Sequence, residues 1–200
     1  MSSNISVISN AKHKIFPQKI IKLLYGDSYI FHKKVGSFQQ YFYVKDGEKT
    51  ELGDLEAEGK NYKVFYTPMA LSLLKDGQLK TLASGRIESF ALNDRYMVYN
   101  CLERNKETDD TPIGPWFLVD FETEEVIKTD LARGKAYGTD GGPKYYENYQ
   151  NTGRNIAQFD PRGRGETNFM EIPSGKIFSV QEMSQLVRLA KVAKDPSYRG

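Results

Sequence analysis

Val44-Lys45-Asp46-Gly47-Glu48-Lys49-Thr50-Glu51-Leu52 recurs thirty residues later as Leu74-Lys75-Asp76-Gly77-Gln78-Leu79-Lys80-Thr81-Leu82. In each copy an apolar strand end runs into Asp-Gly and out again into a strand-like segment. A two-residue hairpin turn of the primed type needs positive φ at its central residues, which Gly adopts without steric cost and Asp tolerates. Two such turns between strand-forming runs predict antiparallel β-structure.

Working outward, residues 20–25 and 28–34 flank Gly26-Asp27 and predict a further hairpin, with a short helix opening after Pro17 as the alternative. Residues 38–45, 62–67, 71–75, 79–83 and 87–92 continue the strand series, and Asn93-Asp94 turns the chain into residues 95–103. After a charged, Pro-containing loop at residues 104–115, an aromatic-aliphatic run from Trp116 to Phe121 leads through Glu122-Thr123-Glu124 into residues 125–131. This last stretch resembles the outer hairpin of a β-propeller blade. The resemblance implies consecutive antiparallel hairpins; the Gly-His and Trp-Asp dipeptides of the best-known propeller repeat are absent from the sequence.

The chain end reads differently. Ser179-Val180-Gln181-Glu182 is a capping box, in which the Ser hydroxyl and the Glu carboxylate satisfy amides that a helix start leaves unpaired. Met183, Leu186, Val187, Ala190 and Ala193 follow at helical spacing, Phe178 is placed to staple onto Met183, and Pro196 lies beyond. The spacing predicts an amphipathic helix over 179–194. Residues 1–11, small and polar, are expected to be a flexible start. Residues 132–168 hold nine Gly or Pro, few aliphatics and the tyrosines Tyr137, Tyr145, Tyr146 and Tyr149, and are expected to form one long loop. The expectation is a single domain spanning 1–200, mainly β (a β-rich α+β class), with consecutive antiparallel hairpins and one C-terminal helix.

Composition supports that class. Thirteen Tyr and eleven Phe suit half-buried strands, and 200 residues suffice for a core without disulfides. The single cysteine, Cys101, sits in the apolar run 96–102, which points to a small core residue and a reducing compartment. No apolar run reaches signal-peptide or membrane-span length, so a soluble, cytoplasmic protein with no membrane partner is expected.

Residue types for chemistry are sparse. Of two histidines, His13 lies in the basic start and His32 in a strand-like run, and no nucleophile elbow accompanies either. One Cys and two distant His cannot supply a zinc site. Glu107, Asp109 and Asp110 lack the residue order of a calcium loop. Gly138 to Gly142 opens no helix and has no Lys-Ser/Thr, so neither nucleotide, cofactor nor metal is expected. Arg154, Arg162 and Arg164 sit among glycines, but a pI of about 8.4 falls short of a nucleic-acid binder's footprint, and nucleic acid is not expected as a partner.

Charge is unevenly spread. Residues 12–34 carry a local +5, whereas residues 103–125 carry eight acids against Arg104 and Lys106, a local −6. The expected function is non-catalytic protein binding, in the manner of a bacterial immunity protein that neutralises a toxin by direct contact, the toxin presenting a basic face. The candidate partner-binding residues are Glu103, Glu107, Asp109 and Asp110, with Trp116, Tyr145, Tyr146 and Tyr149 as aromatic anchors. The alternatives are an accessory subunit of a phage or secretion assembly and a carboxylate-dependent hydrolase pairing Asp120 with Glu122 or Asp140.

Overall fold

The computed structural model describes residues 22–25, 27–102, 113–131, 142–159 and 167–198. The chain is mainly β, and its strands form three antiparallel sheets among these residues. Contacts cluster into two compact units, residues 1–87 and 88–200.

In the first unit, seven strands lie in chain order: β1 (Lys22–Tyr25), β2 (Ser28–Val35), β3 (Phe38–Lys45), β4 (Glu48–Glu58), β5 (Tyr62–Thr67), β6 (Ala70–Lys75) and β7 (Gln78–Ser84). The first two form the hairpin expected around Gly26-Asp27, not a helix. Both Asp-Gly turns are found as read. Lys45 pairs with Glu48 across one and Lys75 with Gln78 across the other. Their backbones match closely, with φ of 52° and 82° at Asp46 and Gly47 and 50° and 81° at Asp76 and Gly77. β4 is longer than the repeated phrase implied, because it changes partner: it pairs with β3 through Gly53 and with β5 from Asp54 onward. Gly53 makes that change possible. It sits at φ 80°, opposite a register shift, and a Cβ there would lie 2.1 Å from the Tyr66 carbonyl oxygen.

Alternation along the strands sends Ile30, Tyr43, Leu52, Phe65 and Leu74 into one core, with Tyr41, Leu55 and Leu79 against it. On β2 and β3, Phe31 stacks on Phe42, and the Lys33 and Lys49 ammonium groups lie over the Phe42 ring at 5.6 and 4.4 Å.

The second unit holds two four-stranded sheets and a helix. One sheet has the order β11 (Glu125–Lys128), β10 (Ile113–Asp120), β9 (Tyr96–Leu102), β8 (Arg86–Ala91). The other runs β12 (Lys144–Tyr146), β13 (Asn155–Phe159), β14 (Asn168–Ile172), β15 (Ile177–Phe178). The expectation of one long loop over 132–168 is corrected here: β12, a 3-10 turn at Tyr149–Asn151 and β13 all fall inside it. The error has a physical source. Each of these pieces is short, and their Gly, Asn and Tyr content carries little apolar periodicity.

The third sheet has two covered faces. Ala157, Phe159, Met170 and Ile172 pack with Tyr96, Val98, Trp116 and Leu118 of the second sheet. The opposite face, Ile156 and Phe169 with Phe178, is covered by Met183 of α1 (Val180–Lys194). That helix starts as the sequence predicts: the Ser179 hydroxyl accepts from the Glu182 amide at 3.3 Å, and the Ser179 amide donates to the Glu182 carboxylate at 2.7 Å.

Candidate functional site

The helix-covered face of the third sheet carries an open concavity. Its volume is about 420 Å³. Buried Phe169 of β14 and Met183 of α1 form the base, Tyr149 of the 3-10 turn and Val187 the walls, and exposed Arg188 and Lys191 the rim.

Two features of the sequence build this groove. The first is the capping box, which fixes where α1 begins and hence which side chains face the sheet. Three residues separate Lys191 from Arg188 and four separate Val187 from Met183, spacings that put each pair on neighbouring turns. The second is the turn at 148–153. Asn148, Gln150 and Asn151 adopt φ of 45°, 45° and 64°, a left-handed conformation that costs non-glycine residues about 1 kcal/mol or more each. Local hydrogen bonds hold it there. The Asn148 amide donates to the Asn155 side chain at 3.1 Å, and the Gly153 amide donates to the Asn148 side chain at 2.8 Å. The Thr152 hydroxyl donates to the Tyr149 carbonyl at 2.7 Å, and the Tyr149 amide to the Arg154 carbonyl at 2.8 Å. Strained, fully braced backbone of this kind marks positions where side-chain placement matters more than local stability. Here it holds the Tyr149 ring edge-on to Tyr146, centroids 5.4 Å apart, and tilted against Phe169 at 5.7 Å.

Of the aromatic candidates, Tyr146 and Tyr149 therefore come together at this site. Tyr145 does not. It pairs with Ala157 while Tyr146 pairs with Ile156, so strand alternation turns it to the opposite face, against the core shared with the second sheet. Burial there pushes its hydroxyl above the ordinary tyrosine range, with Glu147 adding to the effect. Trp116 is corrected from surface anchor to core: its ring is fully buried, opposite Asn100 on β9 and stacked on Phe90 at 5.8 Å. Glu103, Glu107, Asp109 and Asp110 lie outside the described residues, as do His13, Asp140, Arg162 and Arg164. His32 is half-buried on β2 and stacks on Tyr41 at 5.3 Å.

The carboxylates considered for hydrolysis sit elsewhere in the second unit. Arg95 donates to both Asp120 oxygens, at 3.0 and 2.7 Å, and its remaining terminal nitrogen reaches Glu122 at 2.6 Å. The Glu122 amide also donates to Asp120, at 2.9 Å. Burial alone would raise the Asp120 carboxyl, but the Arg95 hydrogen bonds and two backbone amides outweigh it and hold the group below its ordinary value. The same contact with Asp120 raises the Arg95 guanidinium further above its already high value. An acid held ionised in a two-point clamp closes the β10–β11 turn and is poorly suited to donating a proton. Among the described residues no three His, Cys, Asp or Glu side chains come together as metal ligands.

The signal for the groove was present in the sequence but split. The capping box and the tyrosines were both legible, yet nothing in their spacing showed that Tyr149 would lie against Val187 and Met183.

No protein-family profile matches the chain, and no curated protein matches it. Among solved structures, the chain is similar to TolB from Acinetobacter baumannii at 10% identity and a TM-score of 0.35. The match covers 77% of this chain and 40% of that one, so the chain spans less than half the length of the protein it resembles. No helix among the described residues is long and apolar enough to cross a membrane.

Proposed function

We propose that this chain is a non-catalytic protein-binding protein of the immunity type, which neutralises a toxin or effector by direct contact, and that the groove between Tyr149 and α1 is part of its binding face. The observation that carries the reading is the braced turn. A backbone held in left-handed conformations by its own side chains places Tyr149 before any partner arrives, and pre-placed aromatic side chains lose little entropy on binding. Tyrosine at a half-buried position beside a concavity is also the residue type that most often dominates interface energies. The acidic stretch at residues 103–110 supports the toxin-neutralising form of the proposal, because a local excess of carboxylates speeds encounter with a basic surface.

The test uses the product of the neighbouring gene, since an immunity protein is typically encoded beside its toxin. Isothermal titration of the two purified proteins should give saturable binding, and Tyr149→Ala should weaken it at least tenfold, about 1.4 kcal/mol. Reversing Glu107, Asp109 and Asp110 to Lys should act chiefly on association rate and reduce its salt dependence. Absence of binding, together with no protection of cells expressing the neighbouring protein, would overturn the proposal.

A further inference from the structure

The groove has a charge as well as a shape. Arg188 and Lys191 stand on its rim, no carboxylate lines it, and among the described residues neither of these two cations is ion-paired. Lys191 instead lies over the Tyr198 ring at 5.4 Å, an aromatic contact that leaves its charge uncompensated by a carboxylate. Acids near the site in sequence are engaged in other contacts: the Asp195 carboxylate, four positions beyond Lys191, accepts from the Ser197 amide at 3.0 Å and from the Ser197 hydroxyl at 2.7 Å. The Glu182 carboxylate is fixed in the capping box, lowered below its ordinary value by the Ser179 amide and hydroxyl. Glu171 is bound by Arg154 and by the Ser174 hydroxyl. Arg154, in turn, is drawn towards Glu171 and Phe178 and away from the rim. The Ser184 hydroxyl, also on the lining, donates to the Val180 carbonyl at 2.8 Å.

We infer that the groove takes an acidic, apolar segment of the partner protein: large aliphatic or aromatic side chains seated on Tyr149, Val180 and Val187 above the buried Phe169 and Met183, with neighbouring carboxylates held by Arg188 and Lys191. The apolar base supplies burial, and the two cations supply sign. Arg188 presents a planar fork that matches a carboxylate, whereas Lys191 acts as a point charge, so Arg188 is expected to contribute the greater selectivity. This inference rests on the groove being a binding face and adds to it the chemistry of what binds.

Two synthetic heptapeptides test it, alike in alternating Leu and Phe but carrying Asp and Glu in one and Lys in the other. Each is titrated into the full-length ¹⁵N-labelled chain, following the amides of Gln150, Ser184 and Val187. The acidic peptide should shift these amides with a Kd at least tenfold below that of the basic one, and Arg188→Glu with Lys191→Glu should invert the preference. Both side chains are exposed, so folding should survive; Arg188→Gln with Lys191→Gln is the milder pair and should abolish the preference without inverting it. Equal affinity for both peptides, or tighter binding of the basic one, would overturn the acidic partner while leaving the groove as a binding face. Failure of both peptides to shift these amides would remove the groove from both readings.

Discussion

The two units reach stability by different routes. Sheet neighbours are chain neighbours in both, but the first is a single seven-stranded meander in which tight turns close β2–β3, β3–β4, β5–β6 and β6–β7. Its information is local: a residue's role follows from the few positions on either side of it. In the second, the main core is assembled between two sheets that are distant in sequence, with Trp116 and Leu118 against Phe159 and Met170. The helix then adds a further layer. Local turn chemistry suffices to build a meander, but a concave site needs side chains brought together from separated segments.

The largest effect should come from the element that holds the second unit together. Trp116→Ala removes a fully buried ring from the core between the sheets and should cost about 3–5 kcal/mol. Thermal melting measures the loss, and hydrogen exchange should localise it to β9, β10, β13 and β14. A near-native melting temperature would mean that this core is not what joins the two sheets.

The contrast also explains what was legible beforehand. Asp46-Gly47 and Asp76-Gly77 could be read because a primed turn constrains φ at those two residues, whatever the rest of the chain does. Ser179 and Glu182 could be read for the same reason. The turn at 148–153 could not, since Asn148, Gln150 and Asn151 adopt positive φ without being glycines, in a turn braced by bonds of Asn148 with Asn155 and Gly153 and of Tyr149 with Thr152. Trp116 was misplaced because an aromatic residue next to a charged loop reads equally as a surface anchor or a strand end. Its burial among Val98, Leu118, Phe159 and Met170 shows that it faces inward.

A second, smaller effect concerns the Arg95–Asp120 clamp, which does for the β10–β11 turn what Asp-Gly does for the first unit. Hydrogen bonds to charged groups contribute about 1.5–3 kcal/mol, so Asp120→Asn should destabilise by about that amount at neutral pH. The folded-state value of Asp120 is lowered, so its stabilisation is complete above the unfolded value of about 3.9 and is lost as pH falls through the folded value. The melting temperatures of wild type and Asp120→Asn should therefore be well separated at pH 7 and converge below about pH 4. A separation that stays constant down to pH 2 would assign the effect to shape rather than charge.

The smallest effect separates the two copies of the repeat. Gly47 is exposed, and a Cβ there meets nothing within 4 Å, so Gly47→Ala should cost only the left-handed backbone term, about 1 kcal/mol. Gly77 has the same φ but a different neighbourhood. Its carbonyl accepts from the Tyr43 hydroxyl at 3.2 Å and from the Ser28 hydroxyl at 3.4 Å, which ties the second turn to β3, the strand that leads into the first, and to β2. Gly77→Ala strains a turn whose carbonyl is also an acceptor, and should cost about 0.5 kcal/mol or more beyond Gly47→Ala, the lower end of the coupling expected for contacting sites. Tyr43→Phe removes the donor and leaves the ring. Combined with Gly77→Ala it should cost less than the sum of the two single changes, whereas combined with Gly47→Ala the costs should add. Chemical denaturation of the five variants measures both cycles; additivity in both would mean that the repeated turns are energetically alike, and that the Tyr43 bond does not set them apart.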